Sequence, residues 1–204
     1  SSTLGSIRAM QKIQKSNGEF GCHRYIISNN QTAINILEVF TMFKISGWKK
    51  NTFDIIPLFE TISDLDIAVN IMDKIYSNDD YRNHLSYRNN EQTIMLGFSD
   101  GTKDGGYLTA NWKILIAKEK LTRISRKHKI KVKFFDGRGG PPARGGGNTH
   151  QFYSSLGNII ESDDIQVTIQ GQTISSNFGT PDSCKYNLEQ LISSAIKNKK
   201  NRQG

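Results

Sequence analysis

The residues best suited to chemistry lie in a glycine-rich segment, FFDGRGGPPARGGGNTH, at residues 134 to 150. The segment contains six of the chain's 18 glycines. Glycine lets a backbone come close to a ligand, and the planar guanidinium groups of Arg138 and Arg144 suit a phosphate or a carboxylate. The segment is neither a P-loop nor a dinucleotide-binding turn. We predict an anion-binding loop that includes Gly139 and Gly140; the alternative is a flexible surface loop with two solvated arginines.

Two carboxylates and one lysine follow two other apolar segments. Glu60 comes directly after IIPLF, Asp100 comes after IMLGFS, and Lys103 lies three residues beyond Asp100. If these segments are neighbouring parallel strands, both carboxylates lie at one sheet edge, where a hard divalent cation would relieve their repulsion. The alternatives are that Glu60 stabilises the start of a helix and that Asp100 begins a turn. Lys103 would then be a solvated surface group.

Five segments rich in β-branched and aromatic residues predict the strands that position these side chains. Their starts lie between 29 and 40 residues apart, which is enough for a strand and a crossover helix. The segments are residues 24 to 28, 53 to 59, 93 to 98, 130 to 135 and 165 to 169.

Apolar residues at helical spacing predict a helix in each of the first three intervals. Gly47 would end the first helix, and the sequence Thr61-x-x-Asp64 would cap the second. The third carries a run of charges that we expect to be solvated. The apolar stripes are Ala33, Leu37, Phe40 and Ile45; Ile62, Leu65, Val69, Met72 and Ile75; and Tyr107, Ala110, Ile114, Ala117, Leu121 and Ile124. The charged residues are Lys118, Lys120, Arg123, Arg126 and Lys127.

Repeated strand and helix units with apolar strands predict an α/β fold with parallel pairing and helices outside the sheet. An open doubly wound sheet and a (β/α) barrel both fit, and both bind ligands at the carboxyl ends of the strands. Glu60, Asp100 and Arg138 fall at or just after such ends. Five strands cannot close an eight-stranded barrel, so a barrel would be partial, with residues 1 to 204 forming a single region of it.

The composition restricts the classes of function. The net charge of +8 comes from residues 113 to 133, which hold nine basic residues and one acidic residue. A whole-surface nucleic-acid binder is therefore not indicated. Apolar runs are too short to span a membrane, the first residues do not resemble a signal peptide, and the histidines lack metal-ligand spacing. Two distant cysteines favour a soluble, cytoplasmic protein without a disulfide framework.

Four motifs together resemble phosphoenolpyruvate carboxylase. IIPLFET, MLGFSDGTKDGG, FFDGRGGPPARGGG and VTIQGQ follow one another in the order and with the spacing of that family. The resemblance covers nearly the whole chain and selects the barrel. It implies an internal part of a longer, mostly helical and homo-oligomeric enzyme with a TIM-type (β/α) barrel, and such a part is expected to be inactive alone.

The resemblance also implies a site. Glu60 and Asp100 would hold Mg²⁺ or Mn²⁺, Lys103 would match the family's active-site lysine, and Arg138 and Arg144 would match its loop arginines. The substrates would be phosphoenolpyruvate and bicarbonate, which give oxaloacetate and phosphate. Arg144 would also take part in inhibition by dicarboxylic acids. No nucleic acid or membrane partner is implied.

The chain departs from the family pattern at several positions. Asp136 stands where histidine is common, and it would add negative charge beside an anion site unless it pairs with Arg138 or supports the metal. Gln166 and Gln172 stand where arginine and glutamate are usual, and the motif T-A-H-P-T is not in this sequence. Two other readings stay open: an RNA-binding module that uses the RGG-like loop, and a barrel enzyme for another phosphate-containing substrate.

Overall fold

The chain folds as helices around a parallel sheet. The structure is a computed structural model that describes residues 2–48, 50–138, 140–157, 159–161 and 164–203. The strands in these residues are β1 (Arg24–Ile27), β2 (Asp54–Phe59), β3 (Glu91–Gly97), β4 (Lys131–Gly137) and β5 (Gln166–Val167). The helices are α1 (Ser2–Asn17), α2 (Ala33–Ile45), α3 (Ile62–Tyr76), α4 (Asp79–Ser86), α5 (Ser99–Lys127), α6 (Thr149–Ser154), α7 (Gln172–Phe178) and α8 (Pro181–Gln203). Glu19–Gly21 and Pro142–Arg144 are short 3₁₀ helices.

Neighbouring strands all pair in parallel, in the chain order β1-β2-β3-β4-β5. The predicted segments coincide closely with these strands, which confirms the parallel α/β fold. A doubly wound sheet contains a point at which the strand order reverses. The described strands show no reversal, so their order is the one expected for part of a (β/α) barrel rather than for a doubly wound sheet.

The apolar core lies between the sheet and the helices that cover it. Strand residues alternate between two faces, because successive side chains of a strand point in opposite directions. In β4, Val132, Phe134 and Asp136 are buried, whereas the residues between them are less buried. Other buried core residues are Ile55, Phe59, Ile94, Leu96, Leu65, Ala68, Met72, Ile114 and Leu121. Asp136 therefore shares its face of the sheet with apolar core residues.

Helix α2 confirms the predicted helix, and Ala33, Leu37 and Phe40 of the predicted stripe pack in or against the core, whereas Ile45 does not. The predicted stripe included Ile45, which is 70% exposed, while Ile36, Phe40 and Phe43 are buried. These three residues are spaced by four and three positions, so they share one side of the helix. Ile45 is the last helical residue and lies beyond the edge of the core. The helix ends as predicted, because Gly47 adopts a φ of 77° and donates a backbone hydrogen bond to Lys44.

Helix α5 is bent near its start. Gly106 has φ 78° and ψ 165°, values that break a regular helix and that favour glycine. The first turns, which carry Asp100 and Lys103, are thereby set at an angle to the long segment that packs against α3 and β4. The predicted apolar stripe is buried at Ala110, Ile114, Ala117 and Leu121, whereas Tyr107 is 46% exposed because it directly follows the bend.

Helices α1, α4, α6, α7 and α8 were not predicted from the sequence. Helix α8 spans 23 residues, and Tyr186, Leu188, Ile192 and Ile196 on it are exposed. Despite its length, neither α8 nor any other helix in the described part of the chain is long and apolar enough to cross a membrane.

Candidate active site at the carboxyl edge of the sheet

Glu60 and Asp100 lie at the carboxyl ends of two paired strands. Glu60 directly follows β2, and Asp100 is the second residue of α5, which follows β3. Phe59 of β2 pairs in parallel with Leu96 of β3. Both acidic residues line one cavity of about 160 Å³. The structure therefore brings these acids together, as parallel pairing predicts, while their role as metal ligands stays a prediction.

The electrostatics of Glu60 suit a cation ligand. Burial raises the pKa of its carboxyl group, and the negative charges of Asp100 and Asp64 raise it further. No hydrogen bond to the Glu60 carboxylate occurs among the described residues. These residues also contain no group of three or more His, Cys, Asp or Glu side chains able to hold a metal ion. Mg²⁺ commonly takes one or two carboxylates with water and substrate oxygens, so this pair fits it.

A capping box fixes the backbone next to Glu60. Asp64 Oδ2 accepts hydrogen bonds from the backbone N–H groups of Glu60 at 3.2 Å and Thr61 at 3.0 Å. Thr61 Oγ1 accepts one from the Asp64 N–H at 3.1 Å. The predicted cap of α3 is confirmed. Because Thr61 and Asp64 provide the cap, the Glu60 carboxylate is not needed to cap the helix.

Lys103 lies one helical turn after Asp100. Its Nζ donates a hydrogen bond of 2.9 Å to Asp100 Oδ1, and both side chains are about half exposed. Asp100 and Gly101 form the first turn of α5 rather than a reverse turn. The ammonium group thus lies at the rim of the acidic cavity, close to one of its two carboxylates.

Arg138 follows β4 and is only 5% exposed. Its guanidinium lies over the ring of Phe152, with Cζ 4.3 Å from the ring centroid, and Nη1 donates a 3.3 Å hydrogen bond to the Gly147 carbonyl. Nε is buried without a hydrogen-bond partner. No carboxylate of the described residues forms an ion pair with Arg138. A buried cation without an acidic partner is suited to receive an anionic ligand.

Arg144 ends the short 3₁₀ helix and is exposed. Gly140 is buried, and Gly139 lies outside the described residues. The loop is folded tightly on itself, because a Cβ on Gly146 would be 1.7 Å from the Gly140 carbonyl oxygen. The backbone N–H of Gly146 donates a 3.1 Å hydrogen bond to Pro141. Glycine at position 146 is therefore required for this close approach of two backbone segments.

The acidic and basic parts of the site are joined by shared lining residues. Gln170 lines both the cavity of Glu60 and Asp100 and a cavity of about 340 Å³ at Arg144. Gly140 and Gln172 line that second cavity and also a third one, of about 340 Å³, at Arg138. The three cavities therefore adjoin one another along one rim, with Glu60 and Asp100 lining the first, Arg144 the second and Arg138 the third.

One prediction was wrong, at Lys118. Its side chain is 1% exposed, and Nζ lies 2.8 Å from Asp136 Oδ2, whose side chain is also 1% exposed. Tyr153 donates a 2.9 Å hydrogen bond to the same oxygen. Lys118 lies four residues after Ile114 on the buried face of α5, and this spacing was the signal in the sequence. Asp136 thus pairs with Lys118 rather than with Arg138.

The basic segment at residues 113 to 133 is largely paired with acids. Six of its nine basic residues form ion pairs within the described part of the chain, so the segment does not present one broad cationic face. The pairs besides Lys118 and Asp136 include Lys113–Asp66, Arg126–Glu161, Lys127–Asp73, Lys131–Glu91, Lys133–Glu91 and Lys133–Asp164. Lys120, Arg123, Arg126 and Lys127 are exposed, as predicted.

Comparisons with known proteins agree on one family. The family model described as phosphoenolpyruvate carboxylase matches residues 1–203. Phosphoenolpyruvate carboxylase of Nitrosomonas europaea is 38% identical in an alignment over 203 residues that covers 95% of this chain and 22% of that protein. Those of Corynebacterium glutamicum and Gloeobacter violaceus are 36% and 32% identical, again over 95% of this chain and 22% and 21% of theirs. The chain spans about a fifth of the length of these curated relatives.

Proposed function

The chain belongs to the phosphoenolpyruvate carboxylase family, and we propose that it is the segment of a longer carboxylase that carries the metal ligands and the glycine loop. The observation that carries this proposal is that Glu60 and Asp100, Arg144, and the buried Arg138 line three adjoining cavities along one rim. The reaction proposed needs both a cation and a phosphate-binding guanidinium at one site, and this rim offers ligands for the first and supplies the second.

We place the segment in a TIM-type (β/α) barrel of a longer, mostly helical enzyme. The unreversed parallel strand order supports this placement, since barrel strands follow one another around the ring. The position of the site supports it too, because barrel enzymes use the loops at the carboxyl ends of their strands. We also propose that the enzyme is cytoplasmic, in keeping with the free thiols of Cys22 and Cys184.

The proposed cofactor is Mg²⁺ or Mn²⁺, held by Glu60 and Asp100. When bound, the cation would supply Lewis-acid stabilisation of the negative charge that develops on the enolate oxygen. The two carboxylates hold it by charge and by their shared cavity. Lys103 adds a second positive group at the same rim, because its ammonium is hydrogen-bonded to Asp100.

Arg138 and Arg144 provide the binding site for the phosphate group in this proposal. Bicarbonate attacks the phosphorus of phosphoenolpyruvate, the bond from phosphorus to the enol oxygen breaks, and carboxyphosphate and the enolate result. The carboxyl group then passes to the enolate carbon, which gives oxaloacetate and phosphate. In the transition state negative charge is spread over the equatorial phosphoryl oxygens, so guanidinium groups that are fixed in advance toward those oxygens would lower the barrier. Stacking on Phe152 fixes Arg138 in this way. Arg138 would act from a buried position and Arg144 from an exposed one.

The test is a coupled oxaloacetate assay on the complete enzyme that contains this segment. We expect equal amounts of oxaloacetate and phosphate, formed only when phosphoenolpyruvate, bicarbonate and a divalent cation are all present. Phosphate release from another substrate without oxaloacetate would instead favour a different barrel enzyme. Binding to single-stranded RNA that weakens steeply with salt, in the absence of any turnover, would favour the RNA-binding alternative.

A further inference from the structure

The interior of the molecule holds a charge pair that the reaction proposed above does not use. Lys118 of α5 and Asp136 of β4 are each 1% exposed and lie 2.8 Å apart. The ammonium is also near three aromatic rings, at 5.2 Å from Phe134, 5.3 Å from Phe152 and 5.8 Å from Tyr153. A buried ion pair is a weak source of stability, because removing both charges from water costs about as much as their attraction returns. Its position therefore calls for another explanation.

The pair lies close to Arg138. Asp136 precedes Arg138 by two residues on the same strand end, and the ring of Phe152 is near both the Lys118 ammonium and the Arg138 guanidinium. Asp136 Oδ1 and Arg138 Nε are both buried without a hydrogen-bond partner. An acid and a guanidinium so close in sequence would be expected to pair, yet Asp136 uses Oδ2 for Lys118 and Tyr153 instead.

The ionisable groups in this region leave one uncompensated positive charge, and it lies on Arg138. Lys118 and Asp136 cancel each other, so the three ionisable groups carry a net charge of +1 when ionised, and that charge lies on the guanidinium that lines the cavity. Without the ammonium, the buried carboxylate would be uncompensated, and Arg138 would be the cation nearest to it along the strand. Arg138 would then be drawn toward Asp136 and lost to an anionic ligand.

We propose that Lys118 is a positioning residue: by neutralising Asp136, it keeps the Arg138 guanidinium available for the phosphate group of the substrate. The inference rests on the proposed function for the identity of the substrate. The effect of Lys118 on Arg138 does not depend on that identity, because it would apply to the binding of any phosphate. A role in packing alone would make Lys118 and Asp136 equivalent, since removing either one breaks the same contact. If charge is what matters, removing Lys118 should weaken phosphate binding, whereas removing the charge of Asp136 should not.

The experiment compares Lys118→Met, Lys118→Arg, Asp136→Asn and the double variant Lys118→Met/Asp136→Asn in the complete enzyme. The probe is inorganic phosphate, whose binding is measured by calorimetry, and the KM for phosphoenolpyruvate and kcat are measured separately. We expect Lys118→Met to weaken phosphate binding and raise KM by about tenfold, with a smaller change in kcat. Asp136→Asn should bind phosphate at least as tightly as the unaltered enzyme.

Two further variants complete the test. Lys118→Arg keeps the charge and should bind phosphate nearly as well as the unaltered enzyme, and the double variant should recover most of the affinity lost in Lys118→Met. Equal weakening by Lys118→Met and Asp136→Asn would overturn the inference in favour of packing. If Lys118→Met does not fold, weaker phosphate binding by Asp136→Asn alone overturns it and unchanged or tighter binding supports it. An enzyme that binds phosphate in this pattern but makes no oxaloacetate would contradict only the proposed function.

Discussion

Lys103 Nζ lies 2.9 Å from Asp100 Oδ1, and both side chains are about half exposed. Exposed pairs of this kind contribute about 0 to 1 kcal/mol to stability, because solvent screens them and two flexible side chains are ordered. Asp100 can therefore exchange this ammonium for another cation at small cost. The carboxylate of the neighbouring Glu60 has no hydrogen-bond partner among the described residues, so it has none to lose when a cation binds.

We first predict that Glu60→Gln and Asp100→Asn each weaken binding of Mn²⁺ by about tenfold or more, since each removes one of two charged oxygen ligands. The measurement is a Mn²⁺ titration of the complete enzyme followed by electron paramagnetic resonance. Asp182→Asn is a matched control. Asp182, like Asp100, lies in the first turn of a helix, but it does not line the cavity of Glu60 and Asp100. Unchanged Mn²⁺ affinity in both site variants would contradict the assignment.

A second prediction concerns pH. The pKa of Glu60 is raised, so the folded chain binds this proton more tightly than the unfolded chain does. Without metal, the contribution of Glu60 to stability is complete below its ordinary pKa of 4.5 and is lost as the pH rises through the raised value. A cation competes with the proton, so Mn²⁺ affinity should rise over the same range. Asp100→Asn removes one negative neighbour and should move the midpoint of Glu60 titration to lower pH.

A third prediction concerns His84, which is 2% exposed and stacks on Phe53 at 4.6 Å. Burial lowers the pKa of His84 to about 4, with a smaller contribution from Lys44. The unfolded chain therefore binds this proton more readily, and stability is lost as the pH falls from about 6.5 through about 4, by up to about 3 kcal/mol. Urea unfolding at several pH values, followed by the fluorescence of the buried Trp48, measures this loss.

The control for His84 is a pair of variants. His84→Phe keeps an aromatic ring in the core and should flatten the dependence of the urea midpoint on pH below 6.5, whereas His150→Phe, at a half-buried position, should leave it unchanged. If the urea midpoint of His84→Phe depended on pH as that of the unaltered protein does, groups other than His84 would cause the loss of stability at low pH.

A fourth prediction concerns Arg138. Arg138→Ala should lower kcat/KM of the complete enzyme by about a thousandfold or more, because it removes the buried charge that we propose binds the transferring phosphoryl group. Arg138→Lys keeps the charge but loses the planar guanidinium group, so its kcat/KM should lie between the values of Arg138→Ala and the unaltered enzyme. Lys113→Ala breaks only a surface pair with Asp66 and should leave turnover nearly unchanged. Near-normal turnover by Arg138→Ala would remove this residue from the site.

A fifth prediction is that the 204-residue chain alone does not carboxylate phosphoenolpyruvate. Its strands run from β1 to β5 without closing a ring in the described residues, so water reaches the rim of Glu60, Asp100 and Arg138. Electrostatic stabilisation of a transition state depends on excluding that water. The coupled oxaloacetate assay with Mg²⁺ and bicarbonate measures this, and metal-dependent turnover at a typical enzyme rate would contradict it.

The features predicted well from the sequence are those that local patterns determine. Apolar strand segments, the capping box of Thr61 and Asp64, and the end of α2 at Gly47 depend on residues close together in the chain, and all three are confirmed. The meeting of Glu60 and Asp100 was also predictable, because parallel strands place their carboxyl ends at one edge.

The features missed depend on contacts between distant segments. The charge of Lys118 favoured an exposed position in the sequence-based prediction. Its partner Asp136 is 18 residues away, and the two side chains come into contact only when α5 packs on β4. The exposed end of α2 at Ile45 likewise follows from where the core stops, which periodicity does not show. Local spacing identifies a helix face, whereas tertiary packing decides what that face covers.

The buried ion pair of Lys118 and Asp136 also constrains how this sequence can evolve. Replacing one partner leaves a buried charge unpaired, at a cost of about 3 to 5 kcal/mol, against a total stability of about 5 to 15 kcal/mol for a typical domain. A lineage that alters either position alone passes through a less stable protein. The two positions are therefore expected to be inherited as a unit, and related enzymes with a different residue at position 136 should differ at position 118 as well.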